Sequence, residues 1–375
     1  MKFSPKSHQT ARRMLQAAAA VALTFSVVAC GGGGSDSTTA STLKSQVNQS
    51  FQVVSFGDSL SDVGTYAPNI ELEFGASGRF TTSPGQVWTQ EVATYYGDTL
   101  TPAETGGFGA TITQYPNGYG YAQGGALISG TEGNGWEANG AAALTVPVTQ
   151  QVTNYLTTHG SFNSNQLVLI QGGANDLIQF AEEVSADPTQ LANASTVIQA
   201  AVTAFVTDVG TILAKGATHV VVVNIPDISQ TPLATLANDG GATAALFQQL
   251  VTGFNTALST ALTANFGSAV VQVDSATFID NAVTNYQANG FSVSNTATAC
   301  NLTQMYENAL ASGLSTTEAA SFESSLFCSP QLYVAANADQ TYMFADQIHP
   351  TTHLHALFAA YVESQINTAY GLTAN

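Results

Sequence analysis

Residues 52–62 read Gln-Val-Val-Ser-Phe-Gly-Asp-Ser-Leu-Ser-Asp. The first five make a short apolar run that stops at Gly57, and its apolar residues are consecutive rather than alternating. A strand with one wet face alternates, so this run predicts a strand covered on both sides, as in a parallel sheet flanked by helices. Runs of the same type recur at 167–171, 220–224 and 270–273, with a shorter one at 119–122. Between them lie segments with helical spacing. In 191–215 the residues Ile198, Val202, Phe205, Val209 and Ile212 fall three or four apart, and Lys215-Gly216 closes the pattern. Segment 244–266 repeats the stripe with Leu250, Phe254, Leu258 and Leu262, and a last helix is expected over 352–370. Strand then helix, repeated, implies a parallel α/β sheet with right-handed crossovers. Two stretches break the alternation, 66–117 and 281–337, and read as insertions around the mouth of a site.

The charge balance narrows the function. The 375 residues hold 7 Lys+Arg against 25 Asp+Glu, a formal net charge of -18. Four of the basic residues, Lys2, Lys6, Arg12 and Arg13, stand at the N-terminus, leaving Lys44, Arg79 and Lys215 for the rest. A nucleic-acid binder needs a basic face, as does charge-driven attachment to an anionic membrane, and neither is present. With 45% hydrophobic and only 9% charged residues the chain is also unlike a disordered one.

The N-terminal basic residues precede an apolar run at 14–29 that ends Val27-Val28-Ala29-Cys30. The pattern is that of an export signal, and it resembles a bacterial lipoprotein signal. Residues 1–29 are then the signal peptide, Cys30 the lipidated residue, 30–50 a Gly/Ser/Thr-rich tether and 51–375 one folded domain. The resemblance places the protein outside the cytoplasm, anchored by lipid in the cell envelope, at the outer membrane, or secreted. An exported chain with two remaining thiols joins them, so a Cys300–Cys328 disulfide is expected.

The Ser of the opening stretch sits where ligands bind in parallel sheets, just outside the carboxyl end of a strand. On its own, Gly57-Asp58-Ser59 also fits a helix cap. A nucleophilic Ser needs a base, and of the His residues beyond the signal, His159 and His219 read as structural. In Asp346-Gln347-Ile348-His349-Pro350 a carboxylate stands three residues before an imidazole, close enough to fix its tautomer. Oxyanion donors are available from Gly124-Gly125 and from the Asn175 side chain in Gly172-Gly173-Ala174-Asn175-Asp176. No Gly-x-Ser-x-Gly elbow occurs. His349, His353 and His355 also invite a metal-dependent reading.

Taken together, Gly57-Asp58-Ser59-Leu60-Ser61-Asp62, Gly124-Gly125-Ala126, Gly172-x-x-Asn175-Asp176 and Asp346-x-x-His349-Pro350 resemble the blocks of the GDSL or SGNH hydrolases, a family of esterases and lipases. The resemblance implies a three-layer α/β/α sandwich, flavodoxin-like, with about five parallel strands. It implies Ser59 as nucleophile, His349 as base, Asp346 orienting it, and an oxyanion hole of the Ser59 N–H, a Gly N–H and Asn175. Spacing favours Gly125 over Gly124. No cofactor or metal is implied, and the partner is a small-molecule or lipid ester met by a monomer. Carbohydrate acetylesters and thioesters are alternatives on the same site, and a binding lipoprotein without catalysis is the non-enzymatic one. The chain departs from the family where Val63-Gly64-Thr65 replaces Thr-Gly-Asn, and where Gly120 replaces the Asn that commonly opens the second block. Because Ser59, Asn175 and His349 must meet, the whole span has to fold around one centre.

Overall fold

The four longer apolar runs form the strands β1 (Gln52–Phe56), β2 (Gln166–Gln171), β3 (Val220–Val223) and β4 (Val271–Val273). They pair in parallel in the order β1-β2-β3-β4, with Phe56 beside Ile170 and Ile170 beside Val222. These assignments come from a computed structural model that describes residues 45–137 and 142–375. The signal peptide read at 1–29, the lipidation site Cys30 and the tether to residue 44 lie outside the described residues. Residues 45–50, counted above with the tether, pack on the domain: Val47 is buried and pairs with Ala374, and the Gln46 N–H donates to the Tyr95 carbonyl.

Of the five strands expected, the fifth is reduced to a single bridge. Gly120 pairs with Ser55 in parallel on the outer side of β1, and the same residue also bridges Pro102. Segment 119–121 thus makes one pairing on each side. Counting it, the spatial order is second, first, third, fourth, fifth, the flavodoxin-like order, whose crevice opens at the carboxyl end of β1 where successive connections leave in opposite directions.

The continuous apolar strands follow from burial on both faces. Val54, Phe56, Val168, Ile170, Val220 and Val222 face one helical layer, which includes α2 (Val148–His159), α3 (Ala174–Ala186), α4 (Ala194–Ala214) and α5 (Ala242–Phe266). Val53, Leu167, Leu169, Val221 and Val223 face the other, built on α1 (Trp88–Tyr95) and α6 (Thr352–Tyr370). Each Val so buried stabilises the fold by about 1.5–3 kcal/mol, so a polar residue on either face would be costly. The span Pro188–Ala214 is apolar and long enough to cross a membrane by composition. Its Ile198, Val202, Phe205, Val209 and Ile212 are nevertheless buried in the core that α5 shares, which accounts for its character.

The two insertions meet over the carboxyl end of the sheet. The first carries the helix Ala67–Phe74 and an antiparallel hairpin, Glu104–Gly107 with Ala110–Gln114. The second carries the helices Leu302–Ala311 and Thr316–Ala320 and the strand Val293–Thr298, which runs parallel to Tyr342–Phe344. They share a small core in which Tyr66, Ile70 and Phe80 of the first pack with Cys300, Leu326, Phe327 and Cys328 of the second. Cys300 and Cys328 are joined, 28 residues apart.

Candidate active site

β1 delivers Gly57 to the crevice, and Gln151 of α2 clamps it from both sides. The Gly57 N–H donates to Gln151 Oε1 and the Gln151 amide donates to the Gly57 carbonyl, both at 2.8 Å. A short turn, Ser59–Ser61, follows, capped by Asp58, whose carboxylate accepts the Leu60 N–H at 3.1 Å. Asp58 therefore supplies the cap that the Gly57-Asp58-Ser59 stretch also fitted, while the Ser59 hydroxyl meets His349. Burial pushes the Asp58 carboxyl up to about 6, although the Leu60 bond and the His349 ring pull against it.

Ser59 Oγ lies 2.9 Å from His349 Nε2, and His349 Nδ1 lies 2.7 Å from Asp346 Oδ2. The Asp346-x-x-His349 spacing closes locally. Asp346 Oδ1 accepts the Ile348 and His349 backbone N–H groups at 2.9 and 2.8 Å, and the Ala345 N–H donates to the His349 carbonyl. The buried Oδ2 also accepts the Ser325 N–H from the disulfide-closed loop. Burial alone would raise the Asp346 carboxyl, but the His349 ring beside it and these donated hydrogen bonds hold it down to about 2. Phe80 packs on the imidazole with ring centroids 4.9 Å apart. A carboxylate so held keeps a proton on Nδ1 and leaves Nε2 free to accept one from a hydroxyl.

The candidate oxyanion donors differ in their other partners. The Gly124 N–H is taken by Asp62 Oδ2 at 2.8 Å. Among the described residues no acceptor takes the N–H of Gly125 or of Ser59. Gly125 has a φ of +80°, a conformation side chains resist, and a Cβ there would lie 2.0 Å from the Asn134 carbonyl oxygen. Asn175, at the start of α3, donates one amide hydrogen to the Ala126 carbonyl at 3.0 Å. Among the described residues no acceptor meets its second hydrogen.

The departures from the family pattern compensate one another. A Cβ on Gly120 would sit 2.4 Å from Val63 Cγ2, so the buried Val63 fills the space a larger residue at 120 would need. Thr65 Oγ1 donates to the Ala122 carbonyl, and Asp62 accepts the N–H groups of Gly64, Thr65 and Gly124, tying the first block to the second.

The cavity at this point has a volume of about 1360 Å³. Phe108, Trp136, Ile178, Phe322, Leu326 and Phe327 are among the apolar residues of its wall, and Glu132, Glu183, Glu318 and Glu323 among its acidic ones. Among the described residues no Lys or Arg lines it. Both insertions contribute, as their place in the sequence suggested.

The remaining histidines have separate surroundings. His159 ends α2 and bonds the Tyr121 hydroxyl, and His219 packs between Phe51 and Tyr370. His353 meets the Asn289 carbonyl, while His355 accepts the Trp88 N–H on Nδ1, and burial pushes its ring down to about 3. His349, His353 and His355 therefore do not converge, and among the described residues no cluster of three or more His, Cys, Asp or Glu side chains has metal-holding geometry. Gln151, Ser325 and Asn134 are the site residues that sequence reasoning missed. Each is an isolated polar residue without motif, and only Gly133-Asn134-Gly135, a backbone freed for close approach, carried any signal.

The family model described as GDSL-like Lipase/Acylhydrolase matches residues 53–362, from β1 into α6. No curated protein matches the chain.

Proposed function

We propose that this chain, which belongs to the GDSL-like lipase/acylhydrolase family, is a serine esterase that forms an acyl-enzyme on Ser59. His349 Nε2 takes the hydroxyl proton as Oγ bonds to the ester carbonyl carbon, and Asp346 stabilises the resulting imidazolium. The carbonyl oxygen, now negative, is held by the N–H groups of Ser59 and Gly125 and the Asn175 amide. The carbon–oxygen bond to the alcohol breaks, and the alcohol leaves with the proton from His349. Water, deprotonated by the same imidazole, attacks the acyl carbon and releases the acid and free Ser59. The single observation carrying this reading is the unbroken chain Ser59 Oγ, His349 Nε2, His349 Nδ1, Asp346, at 2.9 and 2.7 Å, with the Ser59 and Gly125 N–H groups lacking an acceptor among the described residues.

The cavity favours esters with an extended apolar acyl chain and a neutral or cationic alcohol, because its wall is aromatic and aliphatic and its charges are all acidic. Export and anchoring through a lipid on Cys30 would put such a site beside lipid-derived esters. A series of chromogenic esters of increasing chain length tests the first two statements. Ser59→Ala must be inactive while folded, and a serine-directed phosphonate must label Ser59; wild-type turnover by Ser59→Ala sinks the mechanism. Rates on an anionic ester should rise with salt, since screening weakens the acidic repulsion. Metabolic labelling with a fatty acid, lost in Cys30→Ala, tests the anchor.

A further inference from the structure

We propose that Asn134 is a positioning residue that sets which end of the Asn175 amide faces the reacting carbonyl. The inference rests on the esterase reading above and adds to it a residue outside the four sequence blocks that carry the family resemblance.

A carboxamide is nearly symmetrical in shape, but its two ends act oppositely in an oxyanion hole. Nδ2 toward the developing charge stabilises it, and Oδ1 in the same place repels it. Shape cannot choose between them, so hydrogen-bond partners must. Asn134 Nδ2 donates to Asn175 Oδ1 at 2.7 Å, and Asn175 Nδ2 donates to the Ala126 carbonyl at 3.0 Å. Turning the Asn175 amide over would set donor against donor at Asn134 and acceptor against acceptor at Ala126. The main chain of Asn134 also lies flat on the other donor's loop. Its N–H donates to the Gly125 carbonyl at 2.9 Å, and its own carbonyl oxygen occupies the space a Gly125 Cβ would need. One residue thus holds the side-chain donor by its amide and the Gly125 turn by its backbone.

The test is a double-mutant cycle on the full chain with a chromogenic ester, with melting curves to confirm that each variant is folded. Asn134→Ala removes the donor and should lower kcat by about tenfold to a hundredfold with KM changed less than about threefold, because the ground-state carbonyl uses the hole little. Asn134→Asp keeps the shape but puts a carboxylate oxygen against Asn175 Oδ1, and should fall to the level of Asn175→Ala, about 10² to 10³ below wild type. In the Asn175→Ala background neither change should cost more than about twofold. Independent losses that multiply, or a kcat in Asn134→Asp equal to wild type, would overturn the proposal while leaving the esterase reading intact if Ser59→Ala is inactive. Activity surviving in Ser59→Ala would instead remove the reading on which it rests.

Discussion

Replacing Asp346 by Asn tests the centre of the site, because every group that touches this carboxylate is a donor. Oδ1 accepts the Ile348 and His349 N–H groups, Oδ2 accepts the Ser325 N–H, and His349 Nδ1 reaches both oxygens, Oδ2 at 2.7 Å and Oδ1 at 3.0 Å. An amide supplies one acceptor end and one donor end. Its oxygen would take the Oδ1 place, since the reverse arrangement opposes two backbone donors instead of one. The NH2 then faces the buried Ser325 N–H, which loses its acceptor at a cost of about 1–3 kcal/mol. It also faces His349 Nδ1 at the shorter of that nitrogen's two contacts, which favours Nδ1 as an acceptor and shifts the ring proton to Nε2. That nitrogen then donates to Ser59 Oγ and can no longer take its proton. Loss of the correct tautomer lowers kcat by about 10⁴ in a triad of this kind, equivalent to about 5.4 kcal/mol of barrier. The expected result is a folded protein melting a few degrees lower, with kcat down about 10⁴ and labelling by a serine-directed phosphonate slowed in parallel. Steady-state kinetics, a phosphonylation time course and near-UV circular dichroism measure all three. A kcat within tenfold of wild type in the folded variant would show that Asp346 does not set the state of His349.

Three further outcomes follow from contacts around the site. Gly120→Ala should destabilise the domain by about 1–3 kcal/mol through overpacking on Val63, and Val63→Ala in the same chain should restore most of it; simple additivity of the two losses in denaturant unfolding would contradict the compensation. Breaking the Cys300–Cys328 link should cost roughly 3–4 kcal/mol by the loop-entropy estimate. It should also lower kcat below the melting temperature, because Ser325, three residues from Cys328, donates to Asp346, and the Cys300 N–H donates to the Ala345 carbonyl. Unchanged kcat in the reduced, folded protein would show that Asp346 is held without the bridge. Burial raises Asp58 and Asp208 from the usual 3.8 to about 6, so the stability they contribute is complete below about 3.8 and lost as pH rises through 6. Two groups act the other way: Asp346, held down to about 2, as pH falls below about 3.8, and the buried His355 ring, pushed down to about 3, as pH falls below about 6.5. The difference between proteins isolates Asp208: relative to wild type, Asp208→Asn should gain melting temperature as pH rises from 4 to 7, and a difference that stays constant across that window would refute the assignment.

The strands and long helices were legible because their signals are local. Val220–Val223 is apolar throughout since it is covered on both faces, and the expected helix over 352–370 matches α6 because its apolar spacing repeats within the segment. The one strand that shrank, around Gly120, makes a single bridge to Ser55 on one side and a single bridge on the other to Pro102, in an insertion whose path no periodicity describes. The same holds for the rest of the insertions, where Gly, Thr and Pro make short elements that take their shape from packing on each other at Phe80, Leu326 and Phe327.

By itself the sequence determined the fold class, the carboxyl strand ends at which Ser59 and Asn175 stand, and the pairing of Asp346 with His349. Each of these depends on residues a few positions apart, where backbone geometry alone brings groups together. Spacing already favoured Gly125 over Gly124, but only the tertiary structure supplied a physical difference between them, a hydrogen bond from the Gly124 N–H to Asp62, 62 residues earlier in the chain. Tertiary packing likewise placed Asn134 against Asn175 and Ser325 against Asp346. A backbone N–H has the same chemistry at every residue, so which acceptor it meets across the chain is decided by packing, and no pattern along the sequence records it.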